Sequence, residues 1–88
     1  GWNKITKKNE WTNSLLNNNK NEAFMYFVHS YYVTLKDKSL ILSETTYGSK
    51  SYCSSFQKEN IFATQFHPEK SGVEGLKIYN SLKLKINK

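Results

Sequence analysis

Residues 60–71 read Asn60-Ile61-Phe62-Ala63-Thr64-Gln65-Phe66-His67-Pro68-Glu69-Lys70-Ser71, and this stretch decides the fold. The apolar run over residues 61–66 has strand composition and follows a turn-like Lys58-Glu59-Asn60. It delivers His67. Ser71 then suits a helix N-terminus, with apolar positions at Val73, Leu76, Ile78, Tyr79 and Leu82. Glu74 completes a capping-box pattern with Ser71. Open α/β sheets place their sites where a strand ends and a helix begins. Side chains at i and i+2 leave a strand on the same side, so His67 and Glu69 can meet, with Pro68 stiffening the link. A carboxylate that orients an imidazole is two thirds of a nucleophilic triad; the remaining third is a Ser or Cys brought close by the fold. By spacing alone, a His-X-Glu is more often an ordinary surface pair.

Upstream, residues 40–46 and 50–57 read as a hairpin around Tyr47-Gly48-Ser49. Residues 23–33 are dense in aromatic and β-branched side chains and read as a buried strand. Trp11, Leu15 and Leu16 fall at helical spacing, which predicts a short helix over residues 10–17, ended by Asn17-Asn18-Asn19. The opening residues read as a loop entering a short strand. The expected class is α/β, a mixed sheet with a C-terminal helix. No repeat or linker divides the 88 residues.

Three further stretches give the triad fragment a context. Gly1-Trp2-Asn3, Tyr26-Phe27-Val28-His29-Ser30-Tyr31 and Thr45-Thr46-Tyr47-Gly48 precede Gln65-Phe66-His67-Pro68-Glu69-Lys70-Ser71. In order and spacing they resemble the class I (triad-type) glutamine amidotransferases, and within these the glutaminase subunits of imidazole glycerol phosphate synthase and their sugar-modifying paralogues. The likeness runs from Gly1 to about Leu82. It implies a three-layer α/β fold of which residues 1–88 are the C-terminal portion, because the family's nucleophilic Cys and its glycine-rich oxyanion strand lie upstream of the motif containing Gly1-Trp2-Asn3. It implies that His67 is the general base and Glu69 its orienting carboxylate. Ser30 and Tyr31 resemble residues lining the glutamine pocket. Trp2, Tyr26 and Lys70 resemble residues facing the cyclase subunit of a heterodimer that consumes the ammonia. The alternatives for these three are core packing for Trp2 and Tyr26, and a solvated lysine. The 88 residues alone are expected to be inactive, and a cytoplasmic location with no cofactor is expected.

Composition bounds the other classes. The net charge is +6, from 13 basic and 7 acidic residues, and every basic residue is Lys. That excess admits a basic nucleic-acid-binding module. The absence of Arg and the scatter of the lysines argue against it, since Arg supplies most bidentate base and phosphate recognition. The single Cys excludes an intrachain disulfide and fits a reducing compartment. Cys53 sits in an alternating strand-like run, without the turn or helix N-terminus that would stabilise a thiolate. His29 and His67 with one unrelated Cys match no metal-ligand spacing. No apolar run approaches the ~20 residues needed to span a bilayer. The reading is therefore a glutaminase part, with a sugar-amidating paralogue, an inactive amidotransferase-like scaffold and a small basic binding module as alternatives.

Overall fold

The computed structural model describes residues 1–28 and 34–86. Among the described residues the strands and the α-helix are, in chain order, β1 (Trp2–Lys4), β2 (Thr6–Lys7), β3 (Phe24–Tyr26), β4 (Ile41–Tyr47), β5 (Lys50–Lys58), β6 (Ile61–Thr64) and α1 (Gly72–Ile86). Strands β1 and β3 form a two-stranded antiparallel sheet. A second sheet has the order β2-β4-β5-β6, and its pairings are also antiparallel. With the C-terminal helix packed alongside, the chain has the α/β class expected from its sequence.

The meander β4-β5-β6 follows from its turns. Tyr47 pairs with Lys50, which leaves Gly48 and Ser49 as a two-residue loop. Gly48 has φ +63°, a region that favours glycine and suits tight hairpins. Lys58 pairs with Ile61 across a second two-residue loop. A bulge near Ser43 shifts the β4–β5 register. There the buried Ser43 hydroxyl meets those of Ser54 at 2.8 Å and Ser55 at 2.5 Å, so these oxygens are satisfied inside the sheet.

The core lies between the two sheets, α1 and the segment joining β2 to β3. Met25, Phe27, Leu42, Tyr52, Phe66 and Ile78 belong to it. Phe27 meets Tyr52 and Phe66 edge-on, with ring centroids 6.4 and 5.8 Å apart, a favourable arrangement of ring quadrupoles.

Three expectations change. Residues 10–17 form a chain of turns instead of a helix. Trp11, Leu15 and Leu16 are buried as their spacing suggests. However, the Ser14 hydroxyl donates to the Trp11 carbonyl and accepts from the Leu16 N–H, a local alternative to the helical ladder. Trp11 Nε1 donates to the Leu42 carbonyl at 2.6 Å and pins the segment to β4. Of the strand expected over 23–33, the described part is regular at Phe24–Tyr26, Phe27 exchanges backbone hydrogen bonds with Gly1 beyond it, and residues 29–33 lie outside the described residues. Finally, of the apolar positions read for the helix, only Ile78 is buried; Val73, Leu76, Tyr79 and Leu82 are exposed. The buried side of α1 is instead built from small residues, Ser71, Gly75 and Ser81, around Ile78.

The polar segment between β2 and β3 is tied to α1 by its asparagines. Asn17 Oδ1 accepts from the Ser81 hydroxyl at 2.9 Å. Asn19 Nδ2 donates to the Glu74 carbonyl and carboxylate. The Glu74 carboxylate also accepts from the Lys20 N–H and pairs with Lys77 Nζ at 2.6 Å.

Candidate functional site

The site grows out of the exit of β6. The Gln65 N–H donates to the Ser54 carbonyl at 2.8 Å and carries the ladder with β5 past the strand's end. Two residues on, the His67 N–H donates to the Tyr26 carbonyl at 2.8 Å. The backbone thus passes from one sheet to the other, and His67 stands where they meet. Pro68 then opens a single 3-10 turn, Pro68–Lys70, where its fixed φ and missing N–H cost nothing.

That turn brings the two candidate catalytic side chains together. His67 Nδ1 lies 3.0 Å from Glu69 Oε2. An ionised carboxylate only accepts hydrogen bonds, so in this contact Nδ1 carries the proton and the lone pair is left on Nε2, the tautomer a general base requires. The Glu69 carboxyl is held below its ordinary value, first by the N–H of its own backbone and next by the hydrogen bond from His67. It is therefore ionised at neutral pH. Both side chains remain accessible, His67 at 38% and Glu69 at 53%, so within this chain the pair faces outward.

The turn is fastened at both ends. The Ser71 hydroxyl donates to the His67 carbonyl at 2.6 Å and accepts from the Tyr26 N–H at 2.9 Å. With the His67 N–H on the Tyr26 carbonyl, this closes a ring of hydrogen bonds between β3 and the turn. Ser71 is 2% exposed. The expected capping box is not formed: its hydroxyl serves β3 and the turn, while the Glu74 carboxylate accepts from the Asn19 side-chain amide, the Lys20 N–H and Lys77 Nζ. Gly75, one helical turn further, lies against the Pro68 peptide. A Cβ there would stand 2.8 Å from the Pro68 carbonyl carbon and 3.0 Å from Ser71 Cβ, and would overlap the Pro68 carbonyl oxygen.

Of the interface candidates, Trp2 and Tyr26 come together. They are cross-strand partners, with ring centroids 5.6 Å apart and planes at 77°. Trp2 is half-exposed and Tyr26 is partly buried, so neither is a fully enclosed core residue. Lys70 is exposed on the Pro68–Lys70 turn. Ser30 and Tyr31, the glutamine-pocket candidates, lie outside the described residues. Cys53 is buried in β5, its Sγ 3.4 Å from the Ser55 carbonyl. Burial pushes its thiol up, the opposite of what a nucleophilic Cys needs. Among the described residues, no three His, Cys, Asp or Glu side chains cluster as metal ligands, and no helix is long and apolar enough to cross a membrane.

Sequence reasoning missed what Ser71 and Gly75 do. Ser71 reads as a cap because its spacing to Glu74 fits one. The signal for Gly75 was present: a glycine inside a helical pattern costs about 1 kcal/mol relative to Ala and points to close backbone packing.

Comparison with known proteins bears on the whole chain. A family model described as glutamine amidotransferase class-I matches residues 1–83. The imidazole glycerol phosphate synthase subunit HisH of Pelagibacter ubique (strain HTCC1062) is 51% identical over 78 residues, covering 89% of this chain and 36% of that protein. The subunit of the same name from Aquifex aeolicus (strain VF5) is 43% identical over 88 residues, covering 100% of this chain and 41% of its own length. That of Methanocaldococcus jannaschii is 46% identical over 78 residues, 89% of this chain and 38% of its own. The chain spans between 36% and 41% of the length of these curated relatives.

Proposed function

The chain belongs to the class I glutamine amidotransferase family, and from that premise we propose that it supplies the His67–Glu69 part of a Cys-His-Glu glutaminase site. The observation that carries the reading is the 3.0 Å contact from His67 Nδ1 to Glu69 Oε2 on the turn that leaves β6. The nucleophilic Cys is proposed to come from an amidotransferase portion outside these residues, which span 36% and 41% of two of the matched relatives.

In the proposed reaction, His67 Nε2 takes the proton of the Cys thiol as sulfur attacks the amide carbon of glutamine. Glu69 stabilises the imidazolium that results. The imidazolium then gives its proton to the departing nitrogen, the C–N bond breaks, and ammonia leaves a glutamyl thioester. His67 next takes a proton from water as the water attacks the thioester carbon; the C–S bond breaks, glutamate leaves, and the imidazolium returns its proton to the Cys sulfur. Ammonia passes to a synthase partner. The names of the matched relatives favour imidazole glycerol phosphate formation, in histidine biosynthesis, over amination of a surface sugar. Ser30 and Tyr31 are proposed to contact glutamine. Trp2, Tyr26 and Lys70 are proposed to face the cyclase subunit of a heterodimer. Localisation to the cytoplasm fits the one free, buried Cys.

The basic excess does not require nucleic acid. Lys7, Lys8 and Lys77 each lie within ion-pair distance of a carboxylate, so part of the charge is neutralised locally. The test uses the full-length protein with its synthase partner. His67→Ala lowers glutamate release by about 10²–10⁴-fold, the usual worth of a general base. Undiminished release by a folded His67→Ala variant refutes the assignment.

A further inference from the structure

We propose that Ser71 is a positioning residue for the His67–Glu69 pair, a latch that fixes the catalytic turn on strand β3. The inference rests on the reading of His67 as general base and extends it. Ser71 reaches the pair only through the backbone: its hydroxyl donates to the His67 carbonyl at 2.6 Å and accepts from the Tyr26 N–H at 2.9 Å. The return bond, His67 N–H to the Tyr26 carbonyl at 2.8 Å, makes the link two-sided. The Lys70 and Ser71 N–H groups close the turn on the carbonyls of His67 and Pro68, at 3.0 and 3.1 Å. His67 and Glu69 are accessible side chains, 38% and 53% exposed, so the backbone beneath them carries much of their placement. Their relative position follows from the turn's backbone and the hydrogen bond between them, and the Ser71 hydroxyl, together with the His67 N–H, fixes that backbone to β3. A hydroxyl is required because one atom must donate and accept at once. Ala leaves a Tyr26 N–H and one His67 carbonyl lone pair without this partner.

The test uses the full-length protein with its synthase partner and compares Ser71→Ala, Ser71→Thr and Ser71→Cys with wild type. The readouts are glutaminase kcat and KM, thermal unfolding, and the carboxyl titration of Glu69 followed by NMR. Ser71→Ala lowers kcat roughly 10- to 100-fold, since misplacing a catalytic group by about 1 Å costs on the order of 10²-fold. KM stays within about twofold of wild type, because Ser71 is not proposed to touch glutamine. The Glu69 carboxyl moves up toward its ordinary value as the turn that holds it low loosens. Ser71→Thr, which keeps the hydroxyl, restores most of kcat. Should Ser71→Ala unfold, Ser71→Cys carries the same test: it keeps the size but hydrogen-bonds weakly, and its kcat falls about tenfold. A folded Ala or Cys variant with wild-type kcat overturns the latch, as does an equal loss in kcat and in substrate binding. If His67→Ala itself retains activity, the base assignment fails first, and the two failures are told apart.

Discussion

Gly75→Ala inserts one methyl group at the point where α1 touches the turn that carries the proposed catalytic pair. Its Cβ would stand 2.8 Å from the Pro68 carbonyl carbon and 3.0 Å from Ser71 Cβ, and would overlap the Pro68 carbonyl oxygen. Carbon–carbon contacts are comfortable at about 3.5–4.0 Å, so the helix and the turn must separate by roughly 1 Å. The obstacle is backbone, which cannot swing aside as the tip of a flexible side chain can. Ala gains about 1 kcal/mol of helix propensity over Gly, against about 1–3 kcal/mol for overpacking. The net stability change is therefore small, about 0–2 kcal/mol of destabilisation. Catalysis is affected more strongly, because the displaced atoms belong to the segment that carries His67 and Glu69. A shift of about 1 Å there costs on the order of 10²-fold in turnover. The assay pairs a urea unfolding curve with glutaminase turnover of the full-length protein beside its partner. A large loss of turnover with a nearly unchanged midpoint is the expected pattern. Turnover within twofold of wild type in the folded variant refutes the reasoning, for it would mean that the turn can move without disturbing the pair.

Glu69→Gln lowers turnover less than His67→Ala does, roughly 10- to 100-fold against about 10²–10⁴-fold, because the half-exposed carboxylate is partly replaceable by water; steady-state glutaminase rates decide, and a harmless Glu69→Gln would show that the carboxylate does not serve His67. Glu74 gives a pH dependence. Burial raises its carboxyl, but hydrogen bonds from Lys77, the Lys20 N–H and Asn19 outweigh that and leave it below its ordinary value of 4.5. A depressed folded-state pKa means that the stabilisation is complete above the unfolded value and is lost as pH falls through the folded one. Thermal unfolding from pH 7 down to about 3 should show this loss in wild type and a flatter profile in Glu74→Gln; parallel profiles would contradict it. Cys53→Ala costs about 1 kcal/mol of stability as a core truncation and leaves glutaminase turnover unchanged, and a turnover loss exceeding the stability loss would restore Cys53 as a nucleophile candidate.

The parts legible from the residues alone were those governed by short-range rules. The hairpin of β4 and β5 was readable because Gly48 marks its tight turn, and β6 because an apolar run ends in His-Pro. The turn segment at residues 10–17 was misread because periodicity reports which side chains are buried, and Trp11, Leu15 and Leu16 are buried in either conformation. What decided against a helix was the Ser14 side chain bonding its own neighbourhood and a tryptophan N–H reaching the Leu42 carbonyl, and the second of these joins residues far apart in sequence. Ser71 shows the same limit at the site. Its spacing to Glu74 satisfies a local rule, yet a non-local partner, the Tyr26 N–H, takes its hydroxyl.

The asparagine tether between the β2–β3 segment and α1 has a consequence for the order of folding. The β4-β5-β6 meander and the first turns of α1 close over short sequence distances. Asn17, Asn18 and Asn19 meet Ser81 and Glu74 across 55 to 64 residues. Contacts of such separation form only after the loop-closure entropy between them has been overcome. The tether is therefore expected to be among the last parts to form. In pulse-labelling hydrogen exchange, the Lys20 N–H, which is held by the Glu74 carboxylate, should gain protection after the amides of β5. Simultaneous protection of both would show instead that the segment docks during the initial collapse.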